Sequence, residues 1–449
     1  MRRHLLVGRM GPLDKVLVPK ATDEVLTELA LVTGKKRLDF GIGTAIADLT
    51  KLGVFPTEIG LDLLVLAAHV HAADTRISRA SESQDGWSRE IRLVVPVSDV
   101  ARWSGAGDLL TQMLNFLTGD YWELGFRGRP PGFAKLIPSR PSKSVMPAFD
   151  RVNLFSGGLD SLIGAIEALE DGGTPLLVSH AGEGAVSQAQ ARCHDGLVSA
   201  YGQARFDRLR VWMTFPKELV KGVKAENSTR GRSFLFFAAA VFAASGLKFP
   251  FRINVPENGF IALNVPLDPL RLGALSTRTT HPFYMARWND LIAAMALTGR
   301  LHNPHWNQTK GEMVRACKNP TLLKTMVPLS MSCASPTKGR WAGYGIGHCG
   351  YCLPCIIRRA ALRGGDPTSY TMGICNQTLD TETAEGQQVR SFQFAAARLK
   401  AKPQLAAALI HKSGPLKDET AHLADLADVY RRGLAEVAAV LNNVKAKPR

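Results

Sequence analysis

Nothing in the 449 residues approaches the length of uninterrupted apolar chain that a membrane-spanning helix requires. The most apolar stretch, Phe234 to Gly246, is short and rich in alanine, so it reads as a buried helix of a globular core. No membrane role is expected. Met1-Arg2-Arg3-His4 is followed by three apolar residues before Gly8, too few for a secretory signal, and a cytoplasmic location is expected. Cysteine is scarce at 7 residues, which excludes a disulfide framework. There is no long Lys/Arg run, no internal repeat and no long low-complexity segment, so polybasic tails and solenoid architectures are excluded as well. The Gly-Lys-Ser/Thr of a Walker loop is missing, and Gly41-Ile-Gly43 lacks the third glycine of a dinucleotide fingerprint.

What is present is an ordinary globular composition, 45% hydrophobic, with a basic balance of +16. That charge serves either solubility or the attraction of phosphate-bearing and acidic partners, with nucleic acid among them but not required. The length predicts two or three domains. Residues 1–126 mix helical and strand patterns, with Leu61, Leu64, Val65 and Ala68 on one helical face and a strand from Ile91 to Val97, and are expected to form an N-terminal α+β domain without a catalytic signature. Residues 127–148 hold Pro130, Pro131, Pro138, Pro141 and Pro147 among basic residues and read as a linker. From 149 to 375 strands and helices alternate, with strands at Val152–Phe155, Pro175–Ser179, Leu209–Met213 and Phe251–Val255, which predicts an α/β domain with a parallel sheet and helices on both faces. Residues 376–449 are helical, and Leu423, Leu426, Tyr430, Val437 and Leu441 form a stripe for packing on the body or for a partner helix.

The strand Arg151–Phe155 runs directly into Ser156-Gly157-Gly158-Leu159-Asp160-Ser161, after which Leu162, Ile163, Ile166 and Leu169 keep helical spacing. A strand, a tight glycine turn and a helix N-terminus form an anion cradle: the backbone approaches a phosphate without Cβ clash, and free N–H groups and the helix dipole favour negative charge. Ser156 and Ser161 add hydroxyl donors. Asp160 is expected to orient Mg2+ or to brace the loop.

Cys349-Gly-Tyr-Cys352-Leu-Pro-Cys355, with Cys333 sixteen residues upstream of Cys349, supplies four thiolates and predicts a tetrahedral structural Zn2+ site. An iron–sulfur cluster of the bacterial ferredoxin type would need a cysteine where Arg359 stands. His348 is an alternative ligand by adjacency, and Cys193, Cys317 and Cys375 read as plain thiols.

The hexapeptide Ser156–Ser161 resembles the pyrophosphate loop (PP-loop) of the adenine-nucleotide α-hydrolase superfamily, which cleaves ATP to AMP and pyrophosphate. Together with the downstream cysteines and Arg358, it is arranged as in the 7-cyano-7-deazaguanine synthase (QueC) family. Softer matches are Arg232-Ser233-Phe-Leu-Phe236, where Ser233 replaces the family's Asn, and Thr309-Lys310-Gly-Glu312. With Pro256-Glu257-Asn258-Gly259 and Ser276-Thr277-Arg278-Thr279-Thr280-His281-Pro282, the whole chain resembles the QueC-like proteins of the Qat anti-phage defence system.

The resemblance implies a HUP-type PP-loop ligase that adenylates a 7-deazaguanine-type carboxylate with ATP and Mg2+ and hands it to an amine. Ser156, Gly157, Gly158, Leu159, Asp160, Ser161 and Arg232 would hold the nucleotide. Asp160, Lys310 and His281 are the catalytic candidates, with His281 as base for the amine. Glu257, Asn258, Arg278, Thr279 and Thr280 are the substrate candidates, and Cys333, Cys349, Cys352 and Cys355 the metal ligands. The plain structural readings stand beside these: a loop with a turn glycine for Glu257 and Asn258, a hydrogen-bonded turn for Arg278, Thr279 and Thr280, surface ion-pair partners for Lys310 and Arg232, and a structural histidine for His281. A tRNA-modifying enzyme of the same superfamily and a silent ATP-binding scaffold are the other readings. Partner proteins of a defence operon and a homo-oligomer are expected company.

Overall fold

The computed structural model describes residues 2–34, 37–142, 148–182, 184–226, 228–269, 278–343 and 345–448. Ser276 and Thr277 of the polar segment, and residues 143–147 of the expected linker, lie outside them.

Two parallel sheets organise the chain. The first takes β1 (Arg3–Arg9), β2 (Glu24–Ala30), β3 (Glu90–Val97) and β4 (Tyr121–Gly128) in the order β2-β1-β3-β4, every pair parallel. The N-terminal α+β expectation is thus corrected to a parallel α/β arrangement. Leu5, Leu6 and Val7 of β1 are all buried, because helices cover both faces and erase the polar alternation that marks a strand with one wet face.

The second sheet takes β5 (Arg151–Leu154), β6 (Pro175–Ala181), β7 (Asp207–Trp212), β8 (Phe251–Asn254) and β9 (Gly299–His302) in the order β7-β6-β5-β8-β9, again wholly parallel. The chain leaves β5 toward β6 on one side and later returns to place β8 on the other, with Val152 opposite Ile253. This is the doubly wound, Rossmann-like order, and its switch point opens a crevice at the carboxyl ends of β5 and β8.

Helix Glu58–Arg76 of the first unit packs against helix Arg232–Ala244 of the second. Both are buried nearly all round, and a single hydrophobic core runs from Leu6 through Phe237 to Leu301. The expected one-sided face on Glu58–Arg76 is instead buried on all sides, since it fills the space between the two sheets. Arg129, at the start of the expected linker, is buried and bonded to Glu58 and Asp62 of that helix. A second core gathers Phe260, Ile356 and Ile357 with the tail helices Ala384–Ala401 and Leu423–Leu441, where Leu426, Tyr430, Val437 and Leu441 are buried and Leu423 is partly so. The stripe therefore packs on the body. β10 (Thr378–Asp380) and β11 (Lys445–Lys447) pair in parallel beside it. Among the described residues no helix is long and apolar enough to cross a membrane.

Candidate functional site

β5 ends at Leu154, and the chain turns through Ser156–Gly158 into the helix Leu159–Glu170. Gly157 has φ +78°, which side-chain-bearing residues rarely adopt, and a Cβ there would stand 2.8 Å from the Gln190 backbone nitrogen. Gly158 is the helix N-cap. Its N–H donates to Ser156 Oγ at 3.2 Å, and Ser161 Oγ donates back to the Gly158 carbonyl at 3.0 Å, with the two serine hydroxyls 3.1 Å apart. Both serines thus turn toward the loop, and Ser156 is exposed at its rim.

Asp160, one residue into the helix, points the other way. Its buried carboxylate accepts the Lys310 ammonium, the Asn258 backbone N–H at 3.2 Å and the Asn258 side-chain amide at 2.7 Å. Asn258 follows β8 and Lys310 opens the helix Lys310–Ala316, so the switch point of the sheet brings these segments together. Burial by itself would raise the Asp160 pKa; the Lys310 ammonium and the amide donors override it and hold the carboxyl well below its usual range. Glu257, half-buried beside it, is pushed well up by burial and by the Asp160 charge. Of the two carboxyls, Glu257 is therefore the one that binds a proton more readily. Of the two roles expected for Asp160, its contacts are those of the brace.

Behind the same helix, His305 lies 3.3 Å from Glu167 and 2.7 Å from the Gln308 side chain. Burial disfavours its charged form, yet Glu167 outweighs that and raises its pKa. Arg232 begins its helix beside Gly182, at the carboxyl end of β6, where its guanidinium would come within 3.4 Å of a Cβ on that glycine. Gln190 joins this edge to the loop by donating to the carbonyls of His180 and Ser156 at 3.1 and 3.4 Å.

His281 is not part of this cluster, which corrects its assignment as a base. It is fully buried, accepts the Phe283 N–H through Nδ1 as N-cap of the helix Pro282–Ala294, and packs on Phe116. Burial pushes its pKa down to about 3. Arg278 stacks 4.7 Å over the same Phe116 and donates to its carbonyl, and Thr279 is half-buried next to it. Thr280 instead lines a separate cavity of about 300 Å³ with Asn303, Trp306 and His422. Arg278 and His281 are thus anchored on Phe116 and Phe283, away from the glycine loop. Pro282 at the first helical position explains the segment: it starts a helix, and the polar residues before it cap and anchor that start.

Cys333, Cys349, Cys352 and Cys355 bring their sulfurs within 4.8 Å of one another, with Cys333–Cys352 at 3.8 Å and Cys349–Cys355 at 4.0 Å. A tetrahedral Zn2+ with sulfur at ~2.3 Å sets its ligands about 3.8 Å apart, whereas a disulfide needs ~2.05 Å. Backbone N–H groups of Ser335 and Cys349 point at Cys333 Sγ, and that of Cys352 at Cys349 Sγ, the donor pattern that stabilises thiolates. The cluster suits a metal ion such as zinc. His348 is occupied elsewhere, accepting the Ser332 N–H through Nε2 at 3.1 Å, and is no ligand.

The cysteine cluster and the loop are one construction. Met331 N–H donates to the Gly157 carbonyl at 2.8 Å, and Leu159 N–H to Ser332 Oγ at 3.4 Å. Arg358, fully buried three residues after Cys355, ties that strip down through Ser330, Ser332 and the Val327 carbonyl. Gln190, Met331 and Ser332 carry no sequence signal for these roles, because each acts from a separate segment of the chain. No protein-family model matches the chain, and no curated protein matches it. Fold and site together define a Rossmann-like α/β protein with a glycine loop at the sheet's switch point and a four-cysteine centre suited to a metal ion.

Proposed function

We propose that this chain is an ATP-dependent, AMP-forming carbon–nitrogen ligase of the PP-loop, 7-cyano-7-deazaguanine synthase type, acting in anti-phage defence. A 7-deazaguanine-type carboxylate oxygen attacks the α-phosphorus of ATP and pyrophosphate leaves. An amine, either ammonia or an amine of a partner protein, then attacks the acyl carbon and AMP departs. The observation that carries this reading is the loop itself: a positive-φ glycine and a helix N-terminus lie at the crevice of a doubly wound sheet, with Asp160 anchored from two other segments.

Such a reaction needs held charge more than a nucleophilic side chain. In this proposal the N–H groups of Gly158 and Leu159 and the hydroxyls of Ser156 and Ser161 receive the leaving pyrophosphate. Arg232, across the carboxyl end of β6, meets the remaining anionic charge. Mg2+ would neutralise the phosphates. Pyrophosphate release from ATP and Mg2+, dependent on a 7-deazaguanine carboxylate, is the direct test. Release that Ser156→Ala and Asp160→Ala leave untouched would remove the loop from the chemistry. Intact mass of an operon-encoded partner after incubation separates a protein amine from ammonia as acceptor.

A further inference from the structure

The helix Leu423–Leu441 belongs to the tail, yet it touches both segments that hold Asp160. On the Lys310 side, the Glu436 carboxylate accepts Thr309 Oγ1 at 2.7 Å, the Gly311 N–H at 3.2 Å and Arg315 at 3.3 Å. The approach is close enough that a Cβ on Gly311 would stand 2.5 Å from Glu436 Oε1. One turn earlier, Arg432 pairs with Glu312 and donates to the Asn307 carbonyl at 2.9 Å. On the Asn258 side, Gly433 lies against Phe260 so tightly that a Cβ would meet the ring at 2.4 Å, and the Tyr430 ring lies tilted against it at 5.9 Å. Asn258 caps the short turn that carries Phe260, and its amide is the one on Asp160.

We infer that the C-terminal helix completes the nucleotide site, with Glu436 as a positioning residue that sets Lys310, and through it Asp160 and the glycine loop. The inference rests on the ligase reading above and adds to it a second point of control, remote from ATP. The physical reason is leverage. A buried ion pair is held only if its geometry is fixed, and Lys310 sits at the first position of a seven-residue helix, too short to fix itself. Thr309 and Glu312 form a capping box at that start, and Glu436 adds a constraint from outside the helix by accepting the Thr309 hydroxyl and the Gly311 N–H of the first turn. Gly433 sets the depth at which the tail helix delivers it.

Binding of ATP with Mg2+ to the full-length chain, measured by calorimetry, tests this. Glu436→Ala is expected to weaken binding about tenfold, the effect of losing one half-buried charged hydrogen-bonding group. Glu436→Gln keeps the volume and one acceptor and is expected to fall between, at about threefold. Arg431→Ala, at an exposed residue of the same helix paired with Asp428, leaves binding unchanged. Zinc content and Tm, measured alongside, report the fold. The deciding measurement is Glu436→Ala made again in a Lys310→Met background. A residue acting through Lys310 has little left to lose there, whereas a general structural contribution persists in full. Should Glu436→Ala not fold, Glu436→Gln in both backgrounds gives the same comparison. Wild-type protein that binds no ATP overturns both this inference and the ligase reading. Wild-type binding with an equally tight Glu436→Ala, or equal losses in the two backgrounds, overturns the brace alone.

Discussion

Lys310 and Asp160 are 150 residues apart in the chain and meet as a buried ion pair, each side chain less than a tenth exposed. The contact fixes the first turn of the loop helix to a helix that follows β9 in the chain.

Breaking that pair from one side leaves an uncompensated buried charge. Lys310→Met is expected to cost about 3–5 kcal/mol of stability. The double variant Lys310→Met with Asp160→Asn, which removes both charges, recovers much of it. Urea unfolding of the two single variants and the double checks this, and a double variant as unstable as the sum of the singles would contradict it.

The two loop glycines predict different stability effects. Gly157→Ala forces a Cβ into the left-handed region and onto Gln190, at a cost of about 1–2 kcal/mol from the backbone alone. Gly158→Ala meets nothing nearer than Ser156 Oγ at 3.3 Å and leaves Tm near wild type, yet it crowds the phosphate approach and weakens ATP binding. Unweakened binding by folded Gly158→Ala would argue against a phosphate at this turn.

Metal analysis is expected to find about one zinc per chain, and Cys352→Ser to lose it. Because Met331 and Ser332 join the cysteine cluster to the loop, chelation is expected to lower ATP affinity together with Tm. Iron in place of zinc, or chelated protein that binds ATP as before, contradicts this.

His71, His180 and His281 are buried, and burial pushes their pKa values down to about 4, 3 and 3. Unfolded histidine titrates near 6.5, so between roughly pH 6.5 and 4 the unfolded chain binds protons that the folded chain does not. Stability therefore falls as pH falls through that window, by at most about 1.4 kcal/mol per histidine per unit. Thermal unfolding scanned from pH 7 to 4.5 is expected to move to lower temperature, with a shallower slope in His180→Phe. A Tm unchanged from pH 7 to 5 would refute it.

Short-range grammar made much of the second sheet legible. Val152–Phe155, Pro175–Ser179 and Phe251–Val255 are apolar runs bounded by turn residues, and strands form at each. Four thiols, three of them within seven residues, announce their cluster because ligand spacing is itself local. The first sheet was less legible: β1 and β2 carry buried and mixed patterns that resemble either secondary structure. His281 misled for a related reason, since a histidine among donors looks like chemistry when its ring is in fact a cap held on Phe116.

By itself, then, the sequence determined where the loop, the cysteines and the helical stripe lie, each being a pattern of near neighbours with its own covalent geometry. Only the tertiary structure decided which groups face the loop. The connection after β8 and the segments that follow β9 carry Asn258, Lys310 and Ser332 back to Ser156–Ser161 from 98 to 173 residues away. The tail adds Glu436 from 125 residues beyond Gly311. Such contacts leave no periodicity in the chain, because they are set by the packing of whole elements around a common core.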